Sequence, residues 1–188
     1  MSGLAHPLTT GHVEVSNLSH GHQPSPTPAR WAWLTDTYWY VPKANLPATL
    51  YNSSTGTLAP VLDQTVYHIL GYREGYFWGQ LVTQLGVSGT PSSSAMVGTV
   101  TPQGHILLNL VSTAGTTQGI GTMTKSHGQW TMENQMFTGS SSGIQVGHWA
   151  YMVQSHKGQK SWNSLPMVGV SVPTFLKNYS GPTPTPIA

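Results

Sequence analysis

Between Gln64 and Gln154 the chain reads QTVYHILGY (64–72), GYFWGQLVTQLG (75–86), SAMVGTVT (94–101), GHILLNLVS (104–112), TQGIGTMTK (117–125), GQWTMENQM (128–136) and IQVGHWAYMVQ (144–154). Each run is short and rich in β-branched and aromatic residues. Gly, Ser, Thr and Pro separate the runs, and no segment carries a helical period. Evenly spaced strands of this kind predict a closed barrel or a sandwich.

The breaks between runs are hairpin turns. Pro102-Gln103-Gly104 joins Ala95–Thr101 to His105–Ser112, and Ser126-His127-Gly128 joins Gly119–Lys125 to Gln129–Phe137. Gly stands where a tight turn needs a positive φ. Strands joined this way are neighbours in the sheet. An antiparallel meander of about eight strands closes most simply as an up-and-down barrel, whose interior holds at most one small ligand.

Outside this stretch the character changes. Residues 1–29 are rich in Gly, Ser, His and Pro and end in Gln-Pro-Ser-Pro-Thr-Pro, so an extended or disordered segment is expected there. Val13–Val15 is a candidate short edge strand within it. The barrel domain is expected over 30–180. It opens with Trp31, Trp33, Tyr38, Trp39 and Tyr40, continues through candidate strands Ala48–Asn52 and Thr57–Leu62, and ends with a candidate last strand, Met167–Val172. A Pro/Thr-rich tail covers 181–188.

The aromatic opening followed by a run of meander hairpins resembles the calycin group, which includes the lipocalins. The nearest counterpart of the lipocalin Gly-x-Trp opening is Thr37-Tyr38-Trp39-Tyr40, in which the Gly is absent. The resemblance implies a calycin-like barrel that binds a hydrophobic ligand, in a group that also includes enzymes. Fold alone does not choose between these.

Composition narrows the classes. The 188 residues carry only 6% charged side chains, against about 25% in an average protein. Seven Trp, eight Tyr and three Phe supply a large aromatic core. With a net charge of +2 and scattered Lys and Arg, no basic stripe exists for nucleic acid to follow. Low charge weakens repulsion between copies, so a homo-oligomer is expected. The absence of Cys rules out disulfides, thiolate nucleophiles and Cys-held metals. No apolar run reaches the roughly 20 residues of a membrane helix, and no leader pattern opens the chain, so the expected compartment is the cytoplasm, with no membrane partner. His6, His12, His20 and His22 lie in the N-terminal segment and read as incidental, so neither metal nor cofactor is expected.

The few ionisable groups in the strands are the candidates for chemistry. Glu133 shares a face of its strand with Gln129, Thr131, Gln135 and Phe137, while Trp130, Met132, Asn134 and Met136 share the other. If the first face points inward, Glu133 is a lumenal carboxylate suited to acid or base work. If it points outward, Glu133 is an ordinary solvated side chain. His148, among Val146, Ala150 and Met152, and His68, beside Val66, Leu70 and Tyr72, are the candidate proton-transfer partners.

Ligand-binding candidates are Tyr67, Tyr76, Trp78, Trp130 and Tyr151, whose rings suit a planar or apolar molecule but equally suit core packing. Arg73 is a candidate for greeting an anionic group at the barrel mouth. Gly139-Ser140-Ser141-Ser142-Gly143 mimics a nucleophile elbow but lies between two strands, and the Gly119-Ile120-Gly121 pair lacks the helix of a phosphate loop.

Three functions follow from these readings. The first is a small-molecule-binding barrel acting as a cofactor-independent isomerase, cyclase or lyase through an acid/base pair. The second is a passive carrier of a small apolar or aromatic ligand. The third is an oligomeric interaction module with a lumen filled by side chains.

Overall fold

The computed structural model of the chain describes residues 30–140 and 142–182. The expected N-terminal segment, with its Val13–Val15 strand, and residues 183–188 of the tail lie outside the described residues.

Strands follow one another as the meander predicts. They are β1 (Thr37–Tyr40), β2 (Pro47–Asn52), β3 (Thr57–Arg73), β4 (Tyr76–Leu85), β5 (Ser92–Val100), β6 (His105–Ser112), β7 (Gly115–Ser126), β8 (Gln129–Gly139) and β9 (Ile144–Ser155). All pairings are antiparallel, and β3 pairs with β4 as well as with β1 and β2. The sheet therefore closes on itself as an all-β, eight-position barrel, calycin-like at this coarse level. Nine strands make eight positions because β1 and β2 share one. β2 lies between the first part of β3 and the start of β9, and β1 between a later part of β3 and the end of β9. The two candidate strands at 57–62 and 64–72 are one continuous β3.

Turn chemistry matches the residues present. Glu74 and Gly75 both take positive φ (50° and 91°), as do His127 and Gly128 (50° and 81°). These two-residue loops suit the right-handed twist of the strands they join.

Side-chain alternation divides the wall into two faces. Tyr67 and Ile69 on β3, Phe77 and Leu81 on β4, Met96 on β5, Leu108 on β6, Met132 on β8 and Met152 on β9 are buried in one core inside the barrel. A 3-10 turn at Ala32–Leu34 plugs one end. Its Trp31 is fully buried, and the indole Nε1–H donates to the Thr101 carbonyl at 2.8 Å. Trp33 stacks on Trp130 (5.0 Å between centroids) and Trp130 meets Trp31 edge-on (5.4 Å), so the crowded tryptophans close this end.

A second core lies outside the barrel. Val66 and Val82, on the outer face of β3 and β4, are covered by Leu165, Val172, Phe175 and Leu176. The covering segment contains two short helices, α1 (Lys160–Asn163) and α2 (Val172–Leu176). Here the expected strand at Met167–Val172 is replaced. Gly169 takes φ +69°, and Leu165 and Val170 bond to each other within the segment. Ser171 caps α2, its Oγ accepting from the Thr174 N–H at 3.2 Å, with Pro173 in the first turn. A left-handed glycine followed by a capped, proline-started helix outweighs the alternating valines. No helix among the described residues is long and apolar enough to cross a membrane.

Candidate functional site

The barrel is packed at the tryptophan end and hollow at the other. A cavity of about 490 Å³ opens between the β4–β5, β6–β7 and β8–β9 connections. The size suits a small organic molecule. Local sequence explains the hollow. Near the mouth the inward positions carry Ser and Thr instead of Leu, Met and Phe, namely Thr83, Ser94, Ser112, Thr117 and Thr138. Small side chains leave space, and their hydroxyls line it. Several are paired across strands, with Thr65 and Thr83 at 2.9 Å and Thr117 and Thr138 at 2.6 Å. A hydroxyl in such a pair keeps a further lone pair for a ligand.

The cavity is also lined by Tyr67, Asp63 and His148. Asp63 Oδ2 lies 3.2 Å from His148 Nδ1, and both side chains are about 95% buried. Asp63 Oδ1 accepts from the Thr65 hydroxyl at 2.7 Å. The pair sits where the wall is interrupted. β2 ends its pairing at Leu62 of β3 and at Gly147 of β9, and Asp63 and His148 are the next residue along each strand. The gap is spanned by residues 41–46. The Asp63 N–H donates to the Leu46 carbonyl, and His148 Nε2 faces the Asn45 carbonyl at 3.5 Å. Asn45 Nδ2 is buried there without a partner.

Burial pushes the Asp63 carboxyl above the usual carboxylate range, with His148 and the Thr65 hydroxyl pulling the other way. Burial, helped by the charge of Asp63, also pushes the Tyr67 phenol far up, so it stays a proton donor. Among the described residues its hydrogen-bond partner is the Met136 sulfur at 3.1 Å, a weak acceptor that leaves the phenol available to something better.

The expected site is thus redrawn. His148 and Tyr67 face the lumen. Glu133 does not, because β8 turns Met132, Asn134 and Met136 inward and leaves Glu133 exposed, held by the Thr124 hydroxyl at 3.0 Å. A lumenal pair of His148 with Glu133 is therefore excluded by the strand's alternation. His68 also faces outward, bonded to Asp36 at 2.9 Å and stacked on Tyr38. β4 turns Phe77 and Leu81 inward, so Tyr76 and Trp78 are on the outer face with Tyr76 exposed. Tyr151 is likewise exposed, opposite Glu133 in the register. Trp130 belongs to the plug.

Arg73 lies at the tip of the β3–β4 hairpin, at the plugged end and not at the mouth. No ion pair joins it to Glu74 among the described residues. No group of three metal-ligating side chains gathers among the described residues.

Asp63 is among the few charged residues of the strand region, yet the sequence reading gives it no role, and it gives none to the Ser/Thr lining. The signal for Asp63 was present, since a carboxylate alternates there with Thr65, Tyr67 and Ile69 on one strand face. No family model, curated protein or solved structure matches the chain.

Proposed function

We propose that the barrel binds a small, neutral, hydrogen-bonding organic molecule in the mouth-side cavity, and that Asp63 moves a proton on it. The observation that carries this reading is the buried Asp63–His148 pair in the wall of a hydroxyl-lined hollow. Burying a carboxylate costs stability that an apolar side chain would not. A carrier of purely apolar cargo gains nothing from such a pair, nor from a ring of hydroxyls. Among the described residues that line it, none is a Lys or Arg that could compensate an anion.

A carboxyl lifted above its ordinary range is a stronger base than an exposed carboxylate, which suits it to proton transfer. Asp63 would take a proton from one atom of the ligand and return it to another. Thr65 and His148 would orient the carboxylate, and the Tyr67 phenol would donate to developing negative charge on a ligand oxygen. The step is an isomerisation that balances in protons and needs no redox partner. A non-catalytic carrier of the same ligand class is the alternative.

The test uses native mass spectrometry of the purified protein and its Thr117→Trp variant, which fills the hollow. It is followed by titration of 13C-methyl-methionine-labelled protein with neutral lactones, cyclic amides and sugars. The expected result is a co-purified molecule, or a shift of the Met136 methyl, in wild type alone. No bound mass and an unmoved Met136 across the panel overturn the reading. If Asp63→Asn then binds but does not turn over the ligand, Asp63 is the proton carrier. Equal handling by both proteins leaves the carrier.

A further inference from the structure

We infer that the outer face of β5–β9, with the adjoining end of the β2–β3 hairpin, is the surface on which a second copy of this chain docks. The barrel has two apolar outer regions. The one on β3 and β4 is covered by the chain's own C-terminal segment. The other carries Trp149, Phe137, Leu58, Ile120, Leu107 and Val97, which are 73, 70, 69, 59, 56 and 54% exposed.

These residues form one surface in the register. Leu107 lies opposite Ile120, Ile120 opposite Gln135 and Gln135 opposite Trp149. One row along, Val97 lies opposite Asn109, Asn109 opposite Gln118 and Gln118 opposite Phe137. From the ordinary sizes of these residues, the apolar patch is roughly 700 Å², above the 300–600 Å² of a typical monomer's largest patch and close to the ~800 Å² each partner gives to a standard interface.

Two observations choose a second copy as the occupant. The first is charge. Asn109, Gln118 and Gln135 complete the two rows and Thr116 lies beside them, while Glu133 and His105, titratable side chains of this face, lie at its margin on either side of Thr122. A face whose centre carries no charge suffers little repulsion when it meets itself, and it offers little to a charged partner.

The second is shape. Phe137 and Trp149 rise beside a trough of about 510 Å³ that they line together with Tyr51, Leu58 and Gly147. Gly147 has no side chain between its cross-strand neighbours Phe137 and Thr49, and the Phe137 ring leans over it at the edge of the trough. A two-fold interface requires ridge and trough on the same surface, since each copy presents both. Lipid is a poorer fit, because a membrane barrel needs an apolar band all the way round and here the opposite side is covered by protein.

The experiment is sedimentation velocity over nanomolar to micromolar concentration on the full chain, on Phe137→Glu and Trp149→Glu, and on Val87→Glu as a control. Val87 is 67% exposed on the β4–β5 connection, away from this face. All three positions of change are at the surface, and circular dichroism checks that the fold survives. The expected result is a wild-type oligomer whose dissociation constant rises by about 100-fold or more with either charge on the face. The Val87 variant is expected to assemble like wild type. A wild type that stays monomeric at micromolar concentration overturns the inference. So does an assembly that survives both face substitutions.

Discussion

Asp63 and His148 come from β3 and β9, two strands that are not neighbours, and their side chains meet at 3.2 Å where β2 stops between them. The contact exists because one barrel position is filled by two short strands and a connecting loop. A single continuous strand would hold β3 and β9 apart along their whole length. The break in the wall therefore places a carboxylate and an imidazole together beside a cavity.

The pair gives stability a pH dependence of known sign. Burial holds the Asp63 proton in the folded chain at pH values where the unfolded chain, with its ordinary value near 3.8, has released it. The stability from this group is fully present below the unfolded value and is lost as pH rises through the higher, folded one. Asp63→Asn removes that loss. The melting temperature of the variant minus that of wild type should rise with pH across this window and then level. The expected rise is a few degrees, at roughly 2–4 °C per kcal/mol for a chain of this size. A difference that is flat or falls with pH refutes the burial effect.

Glu133→Gln and His148→Gln should separate sharply. Glu133 is exposed with one hydroxyl partner, so its change should stay within about 0.5 kcal/mol. Loss of His148 leaves a buried carboxylate without its main partner, at a cost of about 3–5 kcal/mol. Urea unfolding at neutral pH measures both. Equal effects would return Glu133 to the lumen.

Trp31→Ala should open the plugged end. Trp31 is 1% exposed, holds the Thr101 carbonyl and touches Trp33 and Trp130. Removing a side chain of this size from a core costs about 3–5 kcal/mol. Urea titration should show that loss with an unchanged β-sheet circular dichroism spectrum at zero denaturant. A loss below about 1 kcal/mol would mean that the plug is not part of the core.

Much of the barrel was legible because its signals are local. His105–Ser112 and Tyr76–Leu85 are bounded by turn residues that name their own geometry, and those strands lie where the pattern puts them. The last segment misled because Met167–Val172 alternates like a strand. Its fate was decided by Gly169 and by the cap at Ser171, which are equally local but were outweighed in the reading by the valines.

The sequence by itself determined the meander from β4 to β9, its hairpin turns and the division of each of these strands into two faces, since all of these follow from neighbours a few residues apart. It left open which face looks inward, because a period of two is symmetric and only closure of the sheet breaks the tie. That choice sent Glu133, His68 and Tyr76 outward and kept His148 and Tyr67 inside. Tertiary structure alone decided that β1 and β2 share one position, that Asp63 meets His148 at the break, and that one outer face is covered while another is bare. These are contacts between residues far apart in the chain, formed by closing the barrel and docking the C-terminal segment.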